Sequence, residues 1–208
     1  MIYLIMKRIL DIFLSILTLI VLSPVFLLLA IMIKLDSKGP LLFKQVRFGK
    51  NKTLFNIIKF RTMSIEAPKD TPTHLLDNPE LYITKVGKFL RKTSLDELPQ
   101  VWNILIGQMS IVGPRPALWN QYDLIEQRDK YGVNKYKPGL TGWAQVNGRD
   151  ELTIEVKSKL DGEYIEKLSF WMDVKCLLKT FVSVFKQEGI LEGGTGKLPN
   201  KEVVSTKE

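Results

Sequence analysis

The longest run of apolar residues lies near the start of the chain. About 22 residues from Ile12 to Ile33 are almost uninterrupted in apolar type, the length that crosses the hydrocarbon core of a bilayer. Ser23 and Pro24 fall in its middle, and proline removes a backbone donor and clashes with the preceding turn. The pattern therefore predicts two half-helices of about 11 residues and ~16 Å each, with the Ser23 hydroxyl as partner for the backbone freed at Pro24.

Basic residues flank this run on both sides. Lys7 and Arg8 precede it, and six further Lys and Arg residues follow within positions 34–52. Because such residues mark the cytoplasmic side of a membrane segment, both ends are predicted to stay cytoplasmic. This favours a re-entrant helix–break–helix over a straight span, although prolines do occur in spanning helices. A signal peptide fits poorly, since Met32-Ile33-Lys34 is not a small-residue cleavage site. Asp11 is expected to pair with Lys7 or Arg8.

Beyond this segment the pattern predicts an α+β, mostly helical monotopic membrane protein. Strand-like residues at 41–43 and 54–58 flank a turn-prone segment and indicate a β-hairpin. Helices are expected at 84–91, 94–106, 117–131 and 160–188, the last with a break in its middle, and residues 66–79 and 136–149 are expected to be irregular. The predicted division is a re-entrant membrane hairpin (1–36), a cytoplasmic catalytic domain (37–190) and a disordered tail (191–208).

A stripe of apolar side chains recurs at three- and four-residue steps from Leu168 to Phe185, with Lys167, Lys175, Lys179 and Lys186 off the stripe. Two interpretations stay open. The stripe faces the protein core, or the helix lies as an interfacial amphipathic helix with its aromatic residues in lipid and its lysines at the headgroups.

Charge and composition narrow the chemistry. The 208 residues include 30 Lys and Arg against 22 Asp and Glu, a net charge of +8 that favours anionic partners. One cysteine, Cys176, excludes an internal disulfide, and one histidine, His74, excludes a zinc cluster of His and Cys within the chain. Acid–base chemistry should therefore fall to carboxylates and lysines. A nucleic-acid partner is not expected, because it would leave the apolar hairpin without a use.

The adjacent acids Asp96 and Glu97 carry the strongest chemical signal. Ser94-Leu95-Asp96-Glu97 matches a capping box, and from these four residues alone a simple helix cap is favoured. Arg91 and Lys92 precede the motif, and a helix N-terminus with nearby cations binds phosphate and holds a carboxylate ionised. Asp96 would then be equipped to coordinate a divalent metal or to attack phosphorus.

Three further segments add candidate ligands for phosphate and polar groups. In Gly113-Pro114-Arg115-Pro116 two prolines fix the backbone around one arginine, which suits phosphate binding as well as a rigid solvated turn. Lys59 and Arg61 project from the end of the second strand. The glycine-rich segment 139–149 contributes Gln145 and Arg149, a composition suited to a polar ligand.

The order of these motifs resembles the bacterial sugar transferase family, the monotopic phosphoglycosyl transferases that begin glycan assembly on polyprenyl phosphate. The motifs are Lys7-Arg8-x-x-Asp11, Ser23-Pro24, Lys59-Phe60-Arg61-Thr62-Met63, Thr93-Ser94-Leu95-Asp96-Glu97-Leu98-Pro99-Gln100, Gly113-Pro114-Arg115-Pro116 and Pro138-Gly139-Leu140-Thr141-Gly142. The resemblance covers roughly residues 3 to 188. It is to the minimal form, and residues 117–128 are similar to members of capsule and O-antigen pathways.

The resemblance implies a mechanism and partners. Asp96 would attack the β-phosphate of a UDP-sugar, giving UMP and a phosphosugar-aspartyl intermediate that is then transferred to undecaprenyl phosphate. It also implies Mg²⁺ near Asp96, assistance from Glu97, phosphate contacts from Lys59 and Arg115, and a location at the bacterial cytoplasmic membrane. Asp161 and Asp173 match acidic family positions without an assigned role. Gln108 stands where the family often has an acid, so this chain departs from the family pattern by having no carboxylate at that position.

Several points stay open in the sequence. A non-catalytic basic protein that binds a membrane surface is the alternative function, with Asp96 and Glu97 only capping a helix. The transferred sugar and the pathway (capsule, O-antigen or glycoprotein glycan) are not fixed, and a homo-oligomer is compatible with the sequence.

Overall fold

The computed structural model describes residues 2–67, 78–148 and 152–186. His74, Arg149 and the predicted tail lie outside these ranges. Within them the helices are α1 (Ile2–Val21), α2 (Ser23–Asp36), α3 (Lys85–Lys92), α4 (Gln100–Leu105), α5 (Tyr122–Asp129), α6 (Ile154–Glu166) and α7 (Phe170–Lys186). The strands are β1 (Leu42–Phe48), β2 (Leu54–Phe60), β3 (Ser110–Val112) and β4 (Gly139–Thr141). The predicted α+β, mostly helical class is confirmed.

The N-terminal hairpin bends where the sequence predicts. α1 and α2 meet at Leu22 with an angle of 62° between them. The Ser23 hydroxyl donates a hydrogen bond of 2.8 Å to the Ile20 carbonyl, the acceptor that the missing N–H of Pro24 would otherwise use, so this prediction is confirmed. Among the described residues no single helix has the length and apolarity to cross a membrane, whereas the bent pair together does.

The predicted half-helix length of about 11 residues is wrong. α1 has 20 residues and α2 has 14, which correspond to ~30 Å and ~21 Å. α1 continues through the charged start of the chain because the folded protein gives those charges partners. Arg8 donates to the Ile104 and Leu105 carbonyls at the end of α4 (2.6 and 2.7 Å). Asp11 accepts from the Ile111 backbone N–H at 3.0 Å rather than pairing with Lys7 or Arg8, so that expectation is also wrong.

Asp173 on α7 ties the start of the chain to its last described helix. Its Oδ2 accepts from Lys7 and from the Tyr3 hydroxyl (2.6 Å), and its Oδ1 accepts from the Tyr164 hydroxyl at 2.6 Å. Tyr164 also lies 3.2 Å from the Val112 carbonyl, and burial together with Asp173 raises the pKa of this tyrosine. Asp173, to which the sequence assigned no role, therefore anchors α1 to α7.

The predicted β-hairpin is confirmed by strands β1 and β2. They pair antiparallel with Phe43 opposite Lys59 and Arg47 opposite Phe55. Opposed residues point to the same face of a hairpin, so this face carries both Arg47 and Lys59. α2 packs Leu29 and Ile33 against Phe60 and Leu90, so the N-terminal hairpin shares a core with the β-hairpin and α3.

The glycine-rich segment is less irregular than predicted. β4 pairs with β3 in parallel, and the Gly113 N–H donates to the Thr141 carbonyl at 2.8 Å. A Cβ on Gly139 would stand 2.1 Å from the Gly113 nitrogen, and a Cβ on Gly142 would stand 2.0 Å from the Gly113 carbonyl oxygen. These glycines therefore allow close backbone packing against the Gly113 turn.

Helices are present where α3, α6 and α7 were predicted, although their bounds differ in places from the predicted ones. The Thr84 side chain caps α3 by accepting from the Gly87 N–H at 2.9 Å. The break expected within 160–188 falls between α6 and α7, whereas the helix expected over 117–131 is limited to α5.

The apolar stripe of α7 faces outward. Its side chains at Trp171, Leu178 and Phe181 are 76, 66 and 65% exposed, while Met172 and Cys176 fill the core beside β3. Of the two interpretations of the stripe, the core-facing one is wrong for these side chains.

Candidate active site

A left-handed residue, rather than a capping box, positions the two central acids. Ser94 has φ 55° and makes no side-chain capping bond, and residues Leu95–Glu97 form a single 3₁₀ turn before α4 begins at Gln100. The capping box and the continuous helix over 94–106 are therefore wrong. The positive φ at Ser94 reverses the chain after α3. This conformation is uncommon for a non-glycine residue and is often found at functional sites.

Glu97 is held by two cations. Its Oε1 accepts from the Lys59 ammonium at 2.7 Å and from the Arg115 guanidinium at 2.8 Å. Asp96, one residue earlier, is only 9% exposed, and among the described residues no hydrogen bond or ion pair reaches its carboxylate. The structure thus brings Asp96, Glu97, Lys59 and Arg115 together. Glu97 pairs with both cations, whereas Asp96 pairs with neither.

The surroundings push the pKa values of the two acids apart. Burial raises the pKa of Asp96, and the Glu97 charge adds to this, while Lys59, Arg91 and Arg115 act in the opposite direction. Burial also disfavours ionised Glu97, but Arg115 and Lys59 outweigh it and hold the pKa of Glu97 well below its usual range. Adjacent acids with separated pKa values are typical of sites in which they have different roles. At Asp96 burial raises the pKa more than the nearby cations lower it, and the expectation that these cations hold Asp96 ionised stays a prediction.

A buried ion pair supports the Pro-Arg-Pro turn from behind. Arg128 on α5 donates to Asp161 Oδ2 through Nε and Nη2 (2.9 and 2.6 Å), and its Nη1 donates to the Arg115 carbonyl at 2.9 Å. Arg128 and Asp161 are 3% and 1% exposed. Asp161, the second acidic position without a role in the sequence, therefore fixes the backbone of the arginine that contacts Glu97.

Sequence reasoning missed Arg47 as a member of this site. Its guanidinium donates to the Pro116 carbonyl at 3.1 Å and to Gln45 Oε1 at 2.6 Å, and its buried Nε has no partner among the described residues. Burial and the charge of Arg115 lower the pKa of Arg47 to about 9. The two-residue alternation of β1 and β2, which sets Arg47 and Lys59 on one face, is the signal that could have found it.

Arg61 does not join the cluster. It is 5% exposed and donates to the carbonyls of Ser37 and Lys38 just beyond α2 (2.6 and 2.9 Å), so it fixes the chain where it leaves this helix. Arg91 lies closer to the acids, where its charge lowers the pKa of Asp96, and its Nε donates to the Thr62 hydroxyl at 3.2 Å.

The glycine-rich segment contributes less than expected within the described residues. Gln145 donates to the Leu140 carbonyl at 3.0 Å, which stabilises its own loop, and its buried Oε1 has no partner there. Arg149 lies outside the described residues and stays a prediction. Gln108 accepts from the Asn103 amide at 2.7 Å and lies at the other end of the β-hairpin from Asp96.

Comparisons with known proteins show which sequences this chain is similar to. The sequence model of a family described as bacterial sugar transferase matches residues 2–187. A UDP-glucose:undecaprenyl-phosphate glucose-1-phosphate transferase from Klebsiella pneumoniae is 44% identical over 188 residues, which are 86% of this chain but 39% of that protein. The chain thus spans about two fifths of that relative.

Shorter relatives match over nearly their whole length. An uncharacterised sugar transferase, EpsL, from Bacillus subtilis is 40% identical over 186 residues, 89% of this chain and 90% of its own. The exopolysaccharide production protein ExoY from Sinorhizobium fredii is 35% identical over 197 residues, 88% of this chain and 87% of its own.

Proposed function

Because the chain belongs to the bacterial sugar transferase family, we propose that it transfers a sugar-1-phosphate from a UDP-sugar to undecaprenyl phosphate and releases UMP. The names of relatives support this donor and acceptor, since several are undecaprenyl-phosphate glucose-1-phosphate transferases. The observation that carries the proposal is the buried Asp96 carboxylate, which has no partner among the described residues although three cations surround it.

In the first step Asp96 attacks the β-phosphorus of the UDP-sugar. A bond forms between its carboxylate oxygen and phosphorus, and the bond from that phosphorus to the oxygen bridging to the α-phosphate breaks, so the electron pair leaves with UMP. In the second step a phosphate oxygen of undecaprenyl phosphate attacks the same phosphorus and releases the Asp96 carboxylate. An unpartnered carboxylate suits this role, because no hydrogen bond has to break before it attacks.

The cations beside Asp96 hold the phosphates. Lys59 and Arg115 are positively charged groups that each carry several N–H donors, and Arg91 adds a third positive charge. Glu97 fixes the positions of Lys59 and Arg115 before substrate arrives, which reduces the entropy lost on binding. Preorganised donors of this kind stabilise the charge that develops on phosphate oxygens in the transition state.

The acids also fit a magnesium ion. Mg²⁺ is usually bound by one or two carboxylates together with substrate phosphates and water, and Asp96 supplies one carboxylate without a competing partner among the described residues. Asp96 would hold the ion with the diphosphate, where it would neutralise charge on the leaving UMP.

We further propose that the protein works at the cytoplasmic face of the bacterial cytoplasmic membrane. Apolar side chains are exposed along α1, α2 and α7, for example Phe13, Leu27 and Trp171 at 61, 65 and 76%. An exposed apolar surface of this extent is typical of membrane contact. Labelling single cysteines at positions 2 and 38 in a Cys176→Ser background tests the topology. Both should react from the cytoplasmic side, and opposite-side labelling would refute the re-entrant arrangement.

The reaction is tested by measuring UMP from the full-length chain with Mg²⁺, undecaprenyl phosphate and a panel of UDP-sugars that begins with UDP-glucose and UDP-galactose. Asp96→Asn and Asp96→Ala should each lower UMP release by about 10⁴-fold or more. Glu126→Gln, an exposed acid on α5, is the matched control and should keep full activity. UMP release surviving in either Asp96 variant would rule out the nucleophile, and no release from the unmodified chain with any sugar would favour a binding protein.

Glu97 is tested separately. Glu97→Gln should still form the covalent phosphosugar adduct but slow turnover by about 100-fold, because Lys59 and Arg115 lose their common carboxylate. Trapping the adduct with radiolabelled UDP-sugar separates the two effects. Unchanged turnover would remove Glu97 from the mechanism.

A further inference from the structure

A second basic cluster lies at the opposite end of the β-hairpin from Asp96. A cavity of about 400 Å³ is lined by the turn between β1 and β2 and by residues after α4 and before β4, among them Lys50, Gln108 and Lys137. Phe55 also lines it, and Lys59 of the candidate active site is four residues further along β2, or ~13 Å. The cavity is therefore separate from the acids of the proposed reaction.

Two cations converge on the backbone of Gly107 at this cavity. Gly107 has φ +90°, and a Cβ placed on it would stand 3.2 Å from Arg8 Nη2 and 3.5 Å from Lys137 Nζ. The two positive groups thus lie within about 7 Å of each other, a distance at which like charges repel. Burial lowers the pKa of Lys137, and the charges of Arg8 and Lys50 lower it further while Asp11 opposes them.

No carboxylate neutralises these lysines within the part of the chain that the structure describes. Neither Lys50 nor Lys137 forms an ion pair there, whereas Lys52 pairs with Asp129 and Lys59 with Glu97. Among the described residues, the Arg8 guanidinium donates to the backbone carbonyls of Ile104 and Leu105 on α4. This positive charge, which Asp11 offsets only in part, therefore faces a cavity large enough for a phosphate-sized anion.

Polar groups that can orient an anion accompany the cations. Asn51 and Thr53 line the cavity from the hairpin turn, and Gln108 lines it with an amide whose oxygen is already used by Asn103. The N–H groups of the Gln108 side-chain amide can therefore donate to an anion in the cavity.

Exposed apolar side chains lie on or next to α1 and α4, close in sequence to Arg8 and Gly107. Ile106, next to Gly107, and Trp102 on α4 are each 51% exposed, and Ile5 and Ile9 on either side of Arg8 are 58 and 61% exposed. A cationic cavity bordered by exposed apolar side chains matches the form of a lipid, whose charged phosphate adjoins its hydrocarbon chains.

We propose that the cavity lined by Lys50, Lys137 and Gln108, with Arg8 close to its Gly107 wall, binds a phosphate group, and that the apolar border makes an anionic phospholipid its source. The site is distinct from that of the proposed transfer reaction and does not depend on it. A soluble phosphate compound shares the same chemistry, and the two sources are separated by experiment.

The test is native mass spectrometry of the full-length chain in detergent, with phosphatidylglycerol, phosphatidylcholine or inorganic phosphate added. The unmodified chain should retain phosphatidylglycerol in preference to phosphatidylcholine. Lys50→Gln with Lys137→Gln should weaken that retention by at least about tenfold, because two charged contacts to phosphate are lost. Lys44→Gln with Lys159→Gln removes the same charge from exposed positions elsewhere and should have no effect.

A second variant keeps both lysines and tests the cavity itself. Gln108→Glu places a carboxylate among the cations and should weaken phosphatidylglycerol retention to a similar degree. Retention of inorganic phosphate with no preference between the lipids would assign the site to a soluble phosphate compound and overturn the lipid source. Equal retention of phosphatidylglycerol by the unmodified chain and by both cavity variants would overturn the site.

Discussion

Asp96 and Asp161 are both buried aspartates near Arg115, but the protein treats them in opposite ways. Asp161 receives two hydrogen bonds from Arg128, whereas the Asp96 carboxylate has no such partner among the described residues. Asp161 is paired with a cation through its Oδ2. Asp96 forms no ion pair among the described residues, although three cations lie near it. The Asp161 carboxylate therefore has a structural role behind the site, whereas the proposed reaction would use the Asp96 carboxylate.

The same contrast extends to Asp173. Its two oxygens accept from Lys7, Tyr3 and Tyr164, which join α1, α6 and α7. Removing a partner from Asp161 or Asp173 should therefore destabilise the fold, while removing the charge of Asp96 should not. The free energy of unfolding measures this difference.

The largest effect is expected for Asp161→Asn. Arg128 is 3% exposed and would lose its counter-charge, which should lower the free energy of unfolding by about 3–5 kcal/mol. Urea unfolding of the purified chain in detergent measures the change, with Glu126→Gln as control. A loss no larger than that of the control would show that the ion pair does not hold the fold together.

A smaller loss is expected for Tyr164→Phe. The substitution leaves Asp173 Oδ1 without its 2.6 Å hydrogen bond in a buried setting, which should lower the free energy of unfolding by about 1–3 kcal/mol. Tyr3→Phe removes a hydroxyl from the other oxygen of the same carboxylate, where Lys7 remains as a partner, and should lower it less. The reverse order would contradict the assignment of Tyr164 as the main support.

The smallest change is expected for Asp96→Asn. No hydrogen bond is lost, and removing a buried charge next to Glu97 offsets the lost attraction to Lys59, so stability should stay within about 0.5 kcal/mol of the unmodified chain. The same variant should lose UMP release. A loss of several kcal/mol would mean that Asp96 is a structural acid and that its inactivity reports unfolding.

The sequence predicts features that depend on neighbours in the chain. The bend at Ser23 and Pro24 and the β-hairpin each follow from residues a few positions apart, and both are present. Because Asp96 and Glu97 are adjacent in the sequence, they could be recognised there as a pair. The order of the motifs along the chain carried the family resemblance, which the family comparison confirms.

Features that depend on distant partners were missed or misjudged. The roles of Asp161 and Asp173 require Arg128, 33 residues away, and Lys7, 166 residues away, which no local pattern joins. Arg61 and Arg47 look alike as strand cations, yet the fold directs Arg61 to the end of α2 and Arg47 to the Pro-Arg-Pro turn. The predicted capping box is wrong because Ser94 adopts a left-handed conformation, which the residue type serine does not predict.

The anchor of α1 on Asp173 also sets an order for assembly. The hydrogen bonds from Tyr3 and Lys7 close loops of 170 and 166 residues, which carries a chain-entropy penalty of about 4–5 kcal/mol before other contacts offset it. During synthesis at ~5–20 residues per second, Asp173 is made roughly 10–30 s after Lys7. The apolar N-terminal helix therefore emerges from the ribosome well before its own anchor exists, so during that interval its surface has to be covered by something other than α7.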